Sequence, residues 1–206
     1  MRTECLKIYS FAELSESAQQ NAIESYRETE YGYGYNWQDE WLDSLNTFCE
    51  LLNIDLGRYE IGPYSYSYID ASYENYNFEN EDLKGLRLRT WIINNWLPQL
   101  RKGKYYSSGN KWIDGKYHYK SRHSKIQFEY DNCSLTGFCG DNALIDPIIE
   151  FVNKPDNRDL NGIISDCMWS FISEFNSDME YQDSDEYIRE IIEANDYEFL
   201  ADGSMY

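Results

Sequence analysis

SDEYIREIIEANDYEFLADGSMY, residues 184–206, holds both kinds of structure in one stretch. Tyr187, Ile188, Ile191 and Ile192 recur at three- and four-residue intervals, which places them on one face of a helix running from Ser184 to Asn195. From Tyr197 that period ends. Asp202-Gly203 is a pair suited to a tight turn, so Tyr197 to Tyr206 reads as a short closing strand and turn.

Upstream, Ile163, Ile164, Cys167, Met168, Phe171 and Ile172 give the segment Leu160 to Phe175 a wide apolar face, which predicts a buried helix. Ala143 to Val152 reads as another. Before them, Lys104 to Leu135 reads as strands, most clearly where Ile126, Phe128 and Tyr130 alternate with polar residues. A helix capped by Asp82 is expected to reach about Trp96 and stop at Pro98, with Leu83, Leu86, Trp91, Ile92 and Trp96 as its apolar set. From Gly57 to Phe78 the period is that of a strand, and Tyr64, Tyr66 and Tyr68 share a face.

Towards the N-terminus, Trp41, Leu42, Leu45, Phe48, Cys49 and Leu52 form a helical core stripe. Residues 31–36, rich in Gly and Tyr, read as a loop. An earlier helix can be capped by Ser15 or Ser17, the latter with Gln20 as a capping box, and faces inward through Ala18, Ala22, Ile23 and Tyr26. Residues 5–11 read as a first strand. Strand runs between helix runs predict an α+β fold, a mainly antiparallel sheet with helices packed on one face. No linker or internal repeat divides residues 1–206, so one domain is expected.

The net charge is −19, from 37 acidic and 18 basic side chains. Such a charge repels nucleic-acid and membrane surfaces of the same sign and attracts basic partners. It is unevenly spread: residues 84–125 contain eleven Lys and Arg against Asp114 alone, a net +10. Within that segment Arg101, Lys102, Lys104, Trp112, Lys116, Tyr117, Tyr119, Lys120 and Arg122 interleave cations with rings. That composition suits a single-stranded nucleic acid, the cations following phosphates and the rings stacking on bases. The preferred reading is that the segment offsets the acidic remainder, within the chain or between copies in a homo-oligomer. The acids are densest near the C-terminus, where Asp178, Glu180, Asp183, Asp185, Glu186 and Glu190 lie on and before an amphipathic helix. Carboxylates on its outer face can imitate phosphates, with Tyr64, Tyr66 and Tyr68 as further contact residues.

No motif for chemistry stands out. His118 and His123 are five residues apart, a spacing that fits neither a helical metal pair nor one strand face. Cys133 and Cys139 have no second pair to complete a zinc site, and Gly32 and Gly34 lack the strand and helix of a phosphate cradle. The chain is therefore read as a non-enzyme with no cofactor and no metal. Five scattered cysteines point to reduced thiols, and neither a signal peptide nor an apolar run of about 18 residues is present. A cytoplasmic place is expected, with no membrane partner.

Three stretches carry a resemblance. IYSFAELSESAQQNAIESYR at residues 8–27, CSLTGFCGD at 133–141 and SDEYIREIIEANDYEFLADGSMY at 184–206 resemble elements of a bacteriophage and prophage accessory family without an assigned activity. They cover about a quarter of the chain, as a mark of lineage. Small acidic phage proteins of this kind are similar to inhibitors of host defences, anti-CRISPR proteins among them. The resemblance implies a bacterial host cell and a partner that is a nucleic-acid-handling defence protein. Direct binding of nucleic acid through residues 101–125 is the alternative.

Overall fold

A computed structural model describes residues 6–32, 37–62, 66–73, 83–102, 111–113, 116–118 and 135–206. The fold is α+β, and its helices far outweigh its strands. All strand pairs are antiparallel, as expected. Among the described residues they form three separate two-stranded ribbons, not one sheet. The chain divides into two compact units, Met1–Asn36 with Ser177–Tyr206, and Trp37–Asn176.

In the smaller unit β1 (Tyr9–Ser10) pairs with β6 (Glu198–Phe199), Tyr9 opposite Phe199 and Ser10 opposite Glu198. The strand expected over residues 5–11 is cut short at Ser10. There the backbone N–H and the hydroxyl each donate to the Glu13 carboxylate at 2.9 Å, which draws Phe11–Glu13 into a 3₁₀ turn. Helix α1 (Glu16–Gly32) starts behind Ser15, whose Oγ accepts the Ala18 N–H at 3.3 Å. The Ser17–Gln20 capping box does not form: Ser17 is already the second residue of the helix, and the Gln20 amide donates to Asp185. Helix α1 also takes in Tyr31 and Gly32, read from sequence as loop.

Ser184 caps the C-terminal helix (Asp185–Ala194) by accepting the Tyr187 N–H at 3.2 Å. Its Ile188 and Ile192 pack with Phe11, Leu14, Ala18, Ala22, Ile23 and Phe199 into one core. Burying one such side chain is worth about 1.5–3 kcal/mol. Gly203, with φ +89°, lets the last turn approach α1: a Cβ there would lie 2.1 Å from the Ala18 carbonyl oxygen.

The larger unit is built on α2 (Trp37–Leu52), whose Trp41, Leu45, Phe48, Cys49 and Leu52 are buried as the stripe predicts. Trp41 is its hub, with the rings of Phe138, Phe171 and Phe175 centred 5.1, 5.1 and 5.6 Å away, all near edge-to-face. Asn53, left-handed at φ 54°, turns the chain from α2 into β2 (Ile54–Glu60), which pairs with β3 (Tyr68–Tyr73).

Helix α3 (Gly85–Asn95) buries Leu88 and Ile92, and Trp96 follows one turn on. Leu86, expected inward, is 70% exposed, because it lies off the face that the four-residue spacing of those three selects. Helix α3 ends at Asn95 with Trp96 as its C-cap, close to the expected end. Pro98 then sits in the first turn of a second helix, α4 (Leu97–Lys102), where a missing N–H costs no internal hydrogen bond. The Asp82 cap and the alternation around Phe128 lie outside the described residues. Strands β4 (Lys111–Ile113) and β5 (Lys116–His118) form the third ribbon.

Helix α5 (Gly140–Asn153) and α6 (Leu160–Gln182) complete the helical set, so the C-terminal helix of the smaller unit is α7. Helix α6 runs past its expected end at Phe175, since Phe175 and Met179 continue the buried four-residue spacing begun at Cys167 and Phe171. Among the described residues no helix is long and apolar enough to cross a membrane.

Candidate interaction surface

The smaller unit contains 16 acidic and 4 basic side chains; the larger contains 21 and 14. Surface potential therefore distinguishes the smaller unit more than any motif does. Its acids are not equivalent.

Arg27, half-buried on α1, takes up two of them. Its Nε lies 2.9 Å from the Asp183 carboxylate, and its Nη2 donates to Asp185 at 2.6 Å and to the Asp183 carbonyl at 2.9 Å. The hydrogen bond from Arg27, joined by one from Gln20, holds the Asp185 carboxyl below the usual range. Asp183 and Asp185 thus fasten the start of α7 to α1. Asp178 is half-buried on α6 and accepts from Gln182 one turn on, at 2.9 Å. Glu180, Glu186 and Glu190 are exposed, and so is Glu193, which extends the outer face of α7.

Tyr66 is 88% exposed ahead of β3 and Tyr68 is half-buried within it, both in the larger unit, and Tyr64 lies outside the described residues. In the alternative set, Arg101 and Lys102 belong to α4, just before the residues read as strands. The β4–β5 register sets Trp112 opposite Tyr117, and Ile113 opposite Lys116. Lys104, Tyr119, Lys120 and Arg122 lie outside the described residues.

Sequence reading missed a half-open groove of about 440 Å³ in the smaller unit, between β1 with its 3₁₀ turn and the chain from Ile192 to Glu198. Ile8, Tyr9 and Tyr197 give it apolar surface, the core residues Phe11 and Ile192 lie behind that, and Glu13, Glu193, Asp196 and Glu198 bring carboxylates to it. Asp196 is held left-handed at φ 51°. No lysine or arginine lines the groove; Arg189 on α7 lies instead 5.8 Å from the centre of the Phe11 ring. The local signals were Ser10-x-x-Glu13, a cap pattern, and the acid run after Ala194.

Among the described residues, no group of three or more His, Cys, Asp and Glu is placed to hold a metal ion. Cys49 and Cys167 are unbridged and buried. Burial pushes the Cys49 thiol up to about 12 and Cys167 higher still, so neither is poised as a thiolate nucleophile. Comparisons with protein-family models, with curated proteins and with solved structures found no match to this chain.

Proposed function

We propose that this chain acts by binding: its acidic smaller unit occupies the basic, nucleic-acid-binding surface of a partner protein and competes with the nucleic acid. The observation that carries the reading is the excess of twelve negative charges on that unit, with Glu180, Glu186 and Glu190 exposed. Glu186, Glu190 and Glu193 are separated by four and then three residues. At the helical rise that sets charges about 6 and 4.5 Å apart along α7, against about 3.4 Å between phosphates of one strand. The face is a sparse strand, adequate to satisfy a lysine- and arginine-lined groove and to be outcompeted at high salt.

The resemblance of residues 8–27, 133–141 and 184–206 to phage accessory proteins supports a host defence protein as the partner, and with it a bacterial cytoplasm. On this reading the chain is an inhibitor and not a catalyst.

The test is affinity capture of the tagged chain from a bacterial lysate, identifying bound protein and bound nucleic acid separately. A nucleic-acid-handling protein is expected without its nucleic acid, and added nucleic acid should displace it. Capture by a Glu180→Gln/Glu186→Gln/Glu190→Gln variant should fall sharply at low salt. Substitutions should spare Asp183 and Asp185, which hold the fold. Unchanged capture would reject this face.

A second reading rests on the +10 segment, residues 84–125, and the β4–β5 ribbon inside it. It predicts that bare DNA or RNA is shifted in a low-salt gel titration. Recovery of nucleic acid alone from the lysate would replace the first reading by this one.

A further inference from the structure

The groove of the smaller unit differs from the outer face of α7 in one respect: it joins charge to an apolar base. That base is Ile8, 40% exposed, with the half-buried Tyr9 and Tyr197 rings; Phe11 and Ile192, 4% and 0% exposed, belong to the core behind it. A compact, fully hydrated cation gains nothing from such a base. A guanidinium on a three-carbon stem does: the stem lies on apolar surface, the planar head pairs with carboxylates, and its face stacks on aromatic rings. We propose that this groove receives an arginine side chain from the partner protein.

The inference rests on the reading of the chain as a binder of basic partners and names what one part of the surface recognises. Three observations make the occupant an arginine side chain. The charged side chains of the lining are all carboxylates, so complementarity demands a cation. Glu13 keeps its charge, since the Ser10 backbone and hydroxyl both donate to it and hold its carboxyl below the usual range. At about 440 Å³ the groove falls within the range of small-ligand sites and holds a long side chain with an apolar neighbour.

The probes are fluorescein-labelled hexapeptides of alternating Arg and Leu, or Arg and Ser, with spermidine as a competitor carrying charge but no guanidinium. Fluorescence anisotropy at physiological salt reads affinity. The Arg–Leu peptide is expected to bind roughly tenfold tighter than Arg–Ser, because the apolar base is then used. The groove variant Glu193→Gln/Asp196→Asn/Glu198→Gln should lose about tenfold or more, as expected where guanidinium–carboxylate pairs are removed. Asn is chosen at 196 because it tolerates the left-handed backbone. The variant Glu180→Gln/Glu186→Gln/Glu190→Gln removes the same number of charges and should lose less than about threefold.

Equal losses in the two variants, or displacement by spermidine at the peptide's own concentration, would overturn the groove and leave the acidic-surface reading standing. Failure of every basic probe to bind the unmodified chain would overturn both. Amide shifts of the unmodified protein give a check free of folding effects. Changes confined to residues 8–13 and 192–198 are expected on peptide addition, and changes centred on Glu186 and Glu190 would count against the groove.

Discussion

The two units employ buried and exposed carboxylates in opposite ways. In the larger, Asp141 is fully buried at the start of α5. One of its oxygens accepts the N–H groups of Leu135, Thr136 and Gly137 at 2.8, 2.9 and 3.1 Å, and the other accepts the Thr136 hydroxyl at 3.1 Å. A single acid therefore organises a loop that offers the backbone no regular ladder. In the smaller unit Asp183 and Asp185 stay at the surface and meet a side chain, Arg27, whose partners lie 156 and 158 residues along the chain. The first arrangement builds local backbone; the second clasps distant elements, while Glu180, Glu186 and Glu190 stay exposed. The difference teaches that net charge alone does not locate a binding surface, because part of it is already structural.

Glycine substitutions probe each unit at its tightest approach. All six tryptophans lie within residues 37–176, so indole emission follows the larger unit and amide hydrogen exchange in α1 and α7 follows the smaller. Gly203→Ala should have the largest effect. A left-handed backbone and a Cβ 2.1 Å from the Ala18 carbonyl oxygen together cost about 4 kcal/mol, read as faster exchange of Ala22, Ile23 and Ile188. Asp141→Ala comes next. It leaves three backbone donors unsatisfied and should lower the stability seen by indole emission in urea by about 3 kcal/mol, with Asp141→Asn milder. Loss of the same size for both would mean that the charge, not the geometry, is what the loop needs. Gly140→Ala sets a Cβ 2.7 Å from the Trp41 ring and should cost about 2 kcal/mol, partly offset by alanine's better helix propensity.

How much of this could be read beforehand follows from the range of each interaction. The stripes of α2 and α7 were legible because a helical face repeats within a few residues: Trp41 to Leu52, and Ile188 with Ile192, are buried as spaced. Pro98 marked the end of α3 near Trp96, but not the start of α4 at Leu97, because a proline is tolerated in the first turn of a helix. The sheet was overestimated where tyrosine alternation suggested long strands, since tyrosine suits a solvated segment as well as a pleated face; Tyr66 is 88% exposed. The candidate surface was half legible. Acid density pointed to α7, but nothing local shows that Arg27 withdraws Asp183 and Asp185 from it, or that residues 8–13 meet 192–198 to enclose a groove.

Acid titration sharpens the contrast at its smallest scale. Hydrogen bonds from Arg27 and Gln20 hold the Asp185 carboxyl below its ordinary 3.8, so its contribution is fully present above that value and is lost as pH falls through the depressed one. Asp146 in the larger unit is the reverse: desolvation, with Glu150 and Glu174 nearby, raises its carboxyl above 3.8. A raised carboxyl leaves the folded state holding the extra proton, so its penalty develops as pH climbs past 3.8 and is complete above the raised value. Asp146→Asn should therefore raise the urea midpoint slightly at pH 7, a gain that fades by about pH 4. Asp185→Asn should lower stability at pH 7, read by hydrogen exchange in α1 and α7, with the deficit shrinking as pH falls below 3.8. Both residues are largely exposed, so these are the smallest effects, and their signs at pH 7 are what matters. If both substitutions destabilised at neutral pH, Asp146 would have a partner of its own, and the two units would handle their acids alike.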